Sequence, residues 1–226
     1  MFLPLRDENP SNKFPAVNIC LLLSNVAVFL YELTLSPHAA RALEITYGVV
    51  PARIPAWLAG HGTLEAALLP FVTSMFLHGG WAHILGNLLF LWIFGDNVEA
   101  EFGHLGYLLF YFVCGIGSGL VHAAFNLNSH LPAVGASGAI SGVLGAYIVL
   151  FPQGQVRVMM GRGVIPMPAL VVIGFWIVLQ FISGIGSISQ TADTGGVAYL
   201  AHIGGFIAGL VLTFLFRGTR TTRTTI

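Results

Sequence analysis

The sequence predicts an all-α membrane protein, a bundle of six transmembrane helices, on three observations. The chain has 226 residues, of which 56% are hydrophobic and only 8% charged, whereas about a quarter of a soluble domain is charged. Six mostly apolar runs fall at about 17–34, 83–98, 104–125, 136–151, 165–183 and 197–216. Runs near ~20 residues cross a bilayer as helices, because every backbone polar group must be bonded internally there. Finally, an even number of spans puts both termini on one side, and that side collects Arg6, Lys13, Arg157, Arg162, Arg217, Arg220 and Arg223, leaving Arg41 and Arg53 opposite. Cytoplasmic loops hold such an excess of basic residues.

The same composition excludes other classes. Basic and acidic residues balance at nine each, so no surplus of positive charge points to nucleic acid. Cys20 and Cys114 both lie inside apolar runs, which gives neither a disulfide framework nor metal-ligand spacing. No metal or other cofactor is expected.

Taken in order, residues 1–16 form a cytoplasmic segment, 17–216 the membrane domain and 217–226 a solvated tail rich in Thr and Arg. The first span is a retained helix and not a signal peptide, since Asn18, Ser24, Asn25 and Glu32 interrupt and flank it. Residues 35–82 form the longest connection, on the outer side, where Pro51, Pro55 and Pro70 punctuate apolar stretches carrying Trp57 and Trp81. That pattern suits short helices lying at the membrane interface. Asp96, Glu99 and Glu101 cluster at the inner end of the second span, where Glu99 caps or braces a loop. Residues 184–196, with Gly184, Gly186, Gly195 and Gly196, suit a mobile cap beside the fifth span.

Strongly polar side chains are rare inside a bilayer, so each one there asks for an explanation. His83 and Asn87 share a helix face at i, i+4 on span two. Ser137 lies in the first turn of span four, and His202 about a turn and a half below the outer end of span six. Spans two, four and six all run inward, so the four groups share one depth. Span four is also short: about 16 residues at ~1.5 Å each reach ~24 Å, less than the ~30 Å apolar core. Its N-terminus is therefore sunk below the surface, and the turn at 132–135 lines a cavity. Small residues let helices approach closely in lipid. Ser141 and Gly145 lie below Ser137, and Ala201, Gly205 and Gly209 line span six, so the two faces can bring Ser137 and His202 together.

A serine hydroxyl needs a positioned base to become a nucleophile, and histidine is the usual one. Ser137 and His202 suit those roles as a two-residue dyad. Charge developing on an attacked carbonyl oxygen needs preorganised donors. The backbone N–H of Ser137 at a helix N-terminus, with the side chains of His83 and Asn87, can supply them.

The ordered set His83-x-x-x-Asn87, Gly135-Ala136-Ser137-Gly138 and Ala201-His202-x-x-Gly205 resembles the rhomboid protease family, across about 70–216. The resemblance implies Ser137 as nucleophile, His202 as general base and His83, Asn87 and the Ser137 N–H as oxyanion hole. It also implies that His78, in Phe76-Leu77-His78-Gly79-Gly80, helps to hold the first loop and its water network. It implies a serine endopeptidase of transmembrane protein substrates, with small residues at the cut site and helix-weakening residues nearby; lateral entry past span five and the 184–196 loop is expected from the glycines there. Many family members carry a tyrosine four residues after the nucleophile, stacked on the catalytic histidine. That position is Ser141 here, so other packing must orient His202.

Two other readings compete with this one. A non-cutting rhomboid-like client-binding protein would usually lack the serine or the histidine. A small transporter would show inverted repeats or a buried acidic residue to couple ions. No His-Glu-x-x-His motif or intramembrane pair of aspartates points to another intramembrane protease. His38, His61, His104, His122 and His130 fall at span ends or in loops and receive no role. The absence of an extra soluble domain points to a minimal prokaryotic form in the plasma (inner) membrane with both termini cytoplasmic.

Overall fold

A computed structural model describes residues 2–9, 13–188 and 199–218. Six helices correspond to the six apolar runs: α1 (Ala16–Glu32), α6 (Trp81–Phe102), α7 (His104–Phe125), α8 (Ser137–Leu150), α9 (Ala169–Ile188) and α10 (Tyr199–Gly218). By length and composition, α7 alone is a full membrane span among the described residues. The pair Leu64–Phe76 and Trp81–Phe102, bent by 78°, is a second candidate, and the other long helices are apolar over shorter stretches.

The centre of the bundle is α8, in which every residue from Gly138 to Tyr147 is buried. A helix apolar on all sides belongs inside a larger bundle, and α8 is packed against α6, α7 and α10. At 14 residues it is only ~21 Å long. Small residues make its approach to α10 close: a Cβ on Gly205 would collide with the Gly138 carbonyl, and one on Gly209 with that of Gly142. The outward sides of α7, α9 and α10 expose large apolar side chains, among them Leu105, Leu109, Phe175, Val178, Val211 and Phe214. That pattern suits a protein whose surroundings are lipid tails.

The connection at 35–82 folds into short helices: α2 (Pro37–Tyr47), α3 (Arg53–Leu58), α4 (Leu64–Leu68), α5 (Pro70–Thr73) and a 3-10 turn at Ser74–Phe76. Proline opens α2 and α5, where its missing N–H costs nothing. At the opposite end, Glu99 is buried and takes the backbone N–H groups of Val17 (2.9 Å) and Asn18 (2.7 Å). It thereby caps α1, whose Pro15 offers no side-chain cap.

Two features differ from the sequence-based expectation. The chain is not wholly helical, because β1 (Phe2–Asp7), β2 (Gln155–Met160) and β3 (Gly163–Pro168) form an antiparallel sheet in the order β1-β2-β3. Val156 and Val158 alternate inward and are fully buried, while Gly161 supplies the positive φ (60°) that the tight β2–β3 turn needs. Pro4, Pro166 and Pro168 sit on the two edge strands, where a missing N–H is tolerated. The first part of the loop expected at about 184–196 is helical instead, because α9 continues through Gly184 and Gly186 to Ile188. Glycine is common in apolar helices of this kind. Gly195 and Gly196, and the tail from 219 on, lie outside the described residues.

Candidate active site

Ser137 is the first residue of α8, after Ala136 as N-cap. Its N–H therefore has no intrahelical acceptor. The chain leading into it is fixed by the 35–82 segment. Val49 and Ala133 exchange backbone hydrogen bonds of 2.9 and 2.8 Å, and the Gly135 N–H donates to the Ser74 carbonyl at 2.8 Å. Gly135 has φ of +122°, and a Cβ there would lie 2.5 Å from His83 Nε2. Both facts require glycine two residues before Ser137.

His202 comes from the facing side of α10 and is 5% exposed. Its Nε2 lies 2.6 Å from Ser137 Oγ across a sequence separation of 65. With Nε2 as acceptor the serine hydroxyl donates, so the imidazole is in the tautomer that can take its proton. The Ser118 hydroxyl on α7 donates to the Ala201 carbonyl at 2.7 Å and holds this stretch of α10. Two aromatic rings bound the imidazole: Trp176 of α9, at 5.6 Å between centroids and 36° between planes, and Tyr199, edge-on at 6.4 Å. Ser141 is fully buried, its hydroxyl donating to the Ser137 carbonyl at 2.6 Å.

On the other side of Gly135 stand the two α6 groups. Asn87 Nδ2 donates to Nε2 of the buried His78 at 3.0 Å, while His78 Nδ1 faces the Phe76 carbonyl at 3.3 Å. This sets the tautomer of His78 and uses one of the two amide hydrogens of Asn87. The His83 imidazole makes no hydrogen bond among the described residues and packs against His78, ring centroids 5.2 Å apart. The five residues singled out in the sequence, Ser137, His202, His83, Asn87 and His78, are thus gathered around Gly135–Ser137 from four chain segments.

Sequence reasoning passed over Trp176, whose partner lies on another helix. It also set aside His122 as a solvated histidine. His122 instead lines a cavity of about 40 Å³ shared with Ser118, Gly135, Ser137 and Ala201, large enough for a water molecule. The i, i+4 pair Ser118 and His122 on one face of span three was the available signal. A larger cavity, about 280 Å³ between α3 and α4, is lined by Arg53, His61 and Thr63 among others and holds none of these groups. No cluster of three or more metal-ligating side chains occurs among the described residues.

Residues 65–219 match the Rhomboid domain family. The chain is 28% identical over 202 residues to Rhomboid-like protein 11, chloroplastic, of Arabidopsis thaliana, which covers 86% of this chain and 63% of that protein. It is 34% identical over 143 residues to Rhomboid protease GluP of Bacillus subtilis (strain 168), covering 62% of this chain and 25% of that one. To Rhomboid protease AarA of Providencia stuartii it is 27% identical over 226 aligned positions, 89% of this chain and 72% of that protein. The chain thus spans less than two-thirds of the length of the first two of these relatives.

Proposed function

The chain belongs to the rhomboid family of integral membrane proteins, and from that premise we propose that it is an intramembrane serine endopeptidase of transmembrane protein substrates. The observation that carries this reading is the 2.6 Å contact between Ser137 Oγ and His202 Nε2, at the N-terminus of a central helix. His202 takes the hydroxyl proton as Ser137 attacks the scissile carbonyl. The oxyanion that forms meets the Ser137 N–H, the free amide hydrogen of Asn87 and the His83 imidazole. His202 then protonates the leaving amine, and a water molecule, activated by the same imidazole, releases the acyl group. The small cavity at Ser118 and His122 is a suitable store for that water. None of these steps calls on a metal or cofactor.

Six membrane crossings with both termini cytoplasmic complete the proposal, on the distribution of basic residues. Substrate comes in laterally past α9. Relatives from chloroplasts, mitochondria and bacteria share the family, so membership alone fits more than one membrane; a bacterial plasma membrane is the location proposed.

A fluorophosphonate serine probe tests the reading on the detergent-solubilised protein. Labelling of wild type that vanishes in both Ser137→Ala and His202→Ala supports it. Absence of labelling in a folded wild type overturns it in favour of a client-binding protein that does not cut.

A further inference from the structure

Glu32 is the last residue of α1, half-buried at the end of an apolar helix. A carboxylate in such a place is costly without partners. No basic side chain pairs with it among the described residues. Its two oxygens instead face the backbone N–H of His78, at 3.1 Å from Oε2 and 3.3 Å from Oε1. One turn earlier on the same face, Phe29 is 4% exposed and packs edge-on against His78 (6.5 Å) and Trp81 (5.0 Å). The end of α1 therefore grips the loop that carries His78 by one hydrogen bond to a carboxyl oxygen and one aromatic contact.

That loop is joined to the neighbourhood of Gly135 by one further hydrogen bond, made by the His78 ring. His78 receives Asn87 Nδ2 at 3.0 Å, and this atom lies 3.6 Å from where a Cβ on Gly135 would sit. An amide rotates about its last torsion unless a partner holds it. His78 is that partner, and Glu32 holds His78.

We propose that Glu32 is a positioning residue for the oxyanion donor Asn87, acting through the backbone of His78. The inference rests on the proposed peptidase reading, in which Asn87 donates to the oxyanion. Because the role needs an acceptor and not a charge, Gln in place of Glu32 retains it and an isosteric apolar residue does not.

The test measures kcat and KM for a transmembrane substrate in Glu32→Gln and Glu32→Met, each with and without Asn87→Ala, alongside thermal unfolding. Misaiming one donor is expected to lower kcat about 10-fold in Glu32→Met, short of the roughly 100-fold loss of deleting a donor. KM stays within about 2-fold, and Glu32→Gln stays within about 3-fold of wild-type kcat. With Asn87→Ala already present, Glu32→Met has no further effect, since the two act on one group. An equal kcat loss in both backgrounds, or none in wild type, overturns the inference. Should Glu32→Met not fold, Glu32→Thr, polar but too short to reach His78, takes its place in the same cycle. A wild type that fails to label with the serine probe defeats the peptidase reading. A labelled wild type with an unaffected Glu32→Met defeats only this inference.

Discussion

The indole of Trp176 rests against the imidazole of His202, ring centroids 5.6 Å apart, although the two residues belong to different helices. Ser141, where family resemblance would place an aromatic ring, spends its hydroxyl on the Ser137 carbonyl of its own helix. Trp176 of α9 thus helps to orient His202, beside Tyr199 of its own helix. Replacing Trp176 with Leu removes a planar contact worth about 1 kcal/mol, and freedom gained by the imidazole is expected to lower kcat roughly 5- to 10-fold. Trp176→Phe keeps a ring and should retain most activity, and Ser141→Ala should be nearly neutral. Rates of fluorophosphonate labelling for the three variants check this; equal rates for Leu and Phe at 176 would remove the stacking explanation.

Close approach of α8 and α10 is what brings Ser137 and His202 within 2.6 Å. A Cβ at Gly205 or Gly209 meets a backbone carbonyl that cannot move aside. Gly205→Ala and Gly209→Ala should each destabilise the bundle by about 1–3 kcal/mol, the usual cost of overpacking, and abolish labelling. Gly86 offers the contrast, with nothing within 4 Å of an added Cβ. Gly86→Ala lies inside α6 and should stabilise by about 0.5–1 kcal/mol. Thermal unfolding in detergent separates the two classes, and a harmless Gly209→Ala would contradict the packing.

Gly135 is constrained twice, by φ of +122° and by His83 Nε2 2.5 Å from a would-be Cβ. Gly135→Ala should displace His83 and twist the approach to Ser137 together. An activity loss of about 100-fold, comparable to removing an oxyanion donor, is expected together with a lowered unfolding temperature, since alanine is strained at that φ. Full activity in the alanine variant would mean that His83 stands further from the reacting atoms.

The long helices and the polar groups within them were legible because lipid makes exceptions conspicuous: Ser137, His202, His83 and Asn87 stand out where almost every neighbour is apolar. What depends on contacts distant in sequence was not legible. β1 pairs with β2 from Phe2↔Met160 onward, and Pro4 within it weakens any local strand signal. The alternation of Val156 and Val158 in Gln155–Met160 was a usable sign of β2, read too simply as part of a basic cytoplasmic loop. Trp176 and His122 were passed over for a related reason. An aromatic in an apolar run and a histidine near a helix end are ordinary by themselves, and only the third dimension sets one against His202 and the other in a cavity with Ser137.

Asp7 ties β1 to the membrane helices, taking Asn97 Nδ2 at 2.6 Å and the Tyr147 hydroxyl at 3.1 Å on one oxygen. Burial, with the negative charge of Asp96 nearby, pushes its carboxyl up from 3.8 to about 6. A carboxyl raised in the folded state binds protons more tightly there than in the unfolded chain, so its contribution favours folding at low pH. That contribution is complete below about pH 3.8 and is lost as pH rises through about 6. Asp7 is partly exposed, so after solvent screening the strain at neutral pH is on the order of 1 kcal/mol. Asp7→Asn keeps an acceptor for Asn97 without the charge. It is expected to raise the unfolding temperature at pH 7.5, to leave it nearly unchanged at pH 4.5, and so to flatten the dependence between them. A variant less stable than wild type at pH 7.5 would mean instead that the ionised carboxylate, through its hydrogen bonds to Asn97 and Tyr147, is what anchors the N-terminal strand.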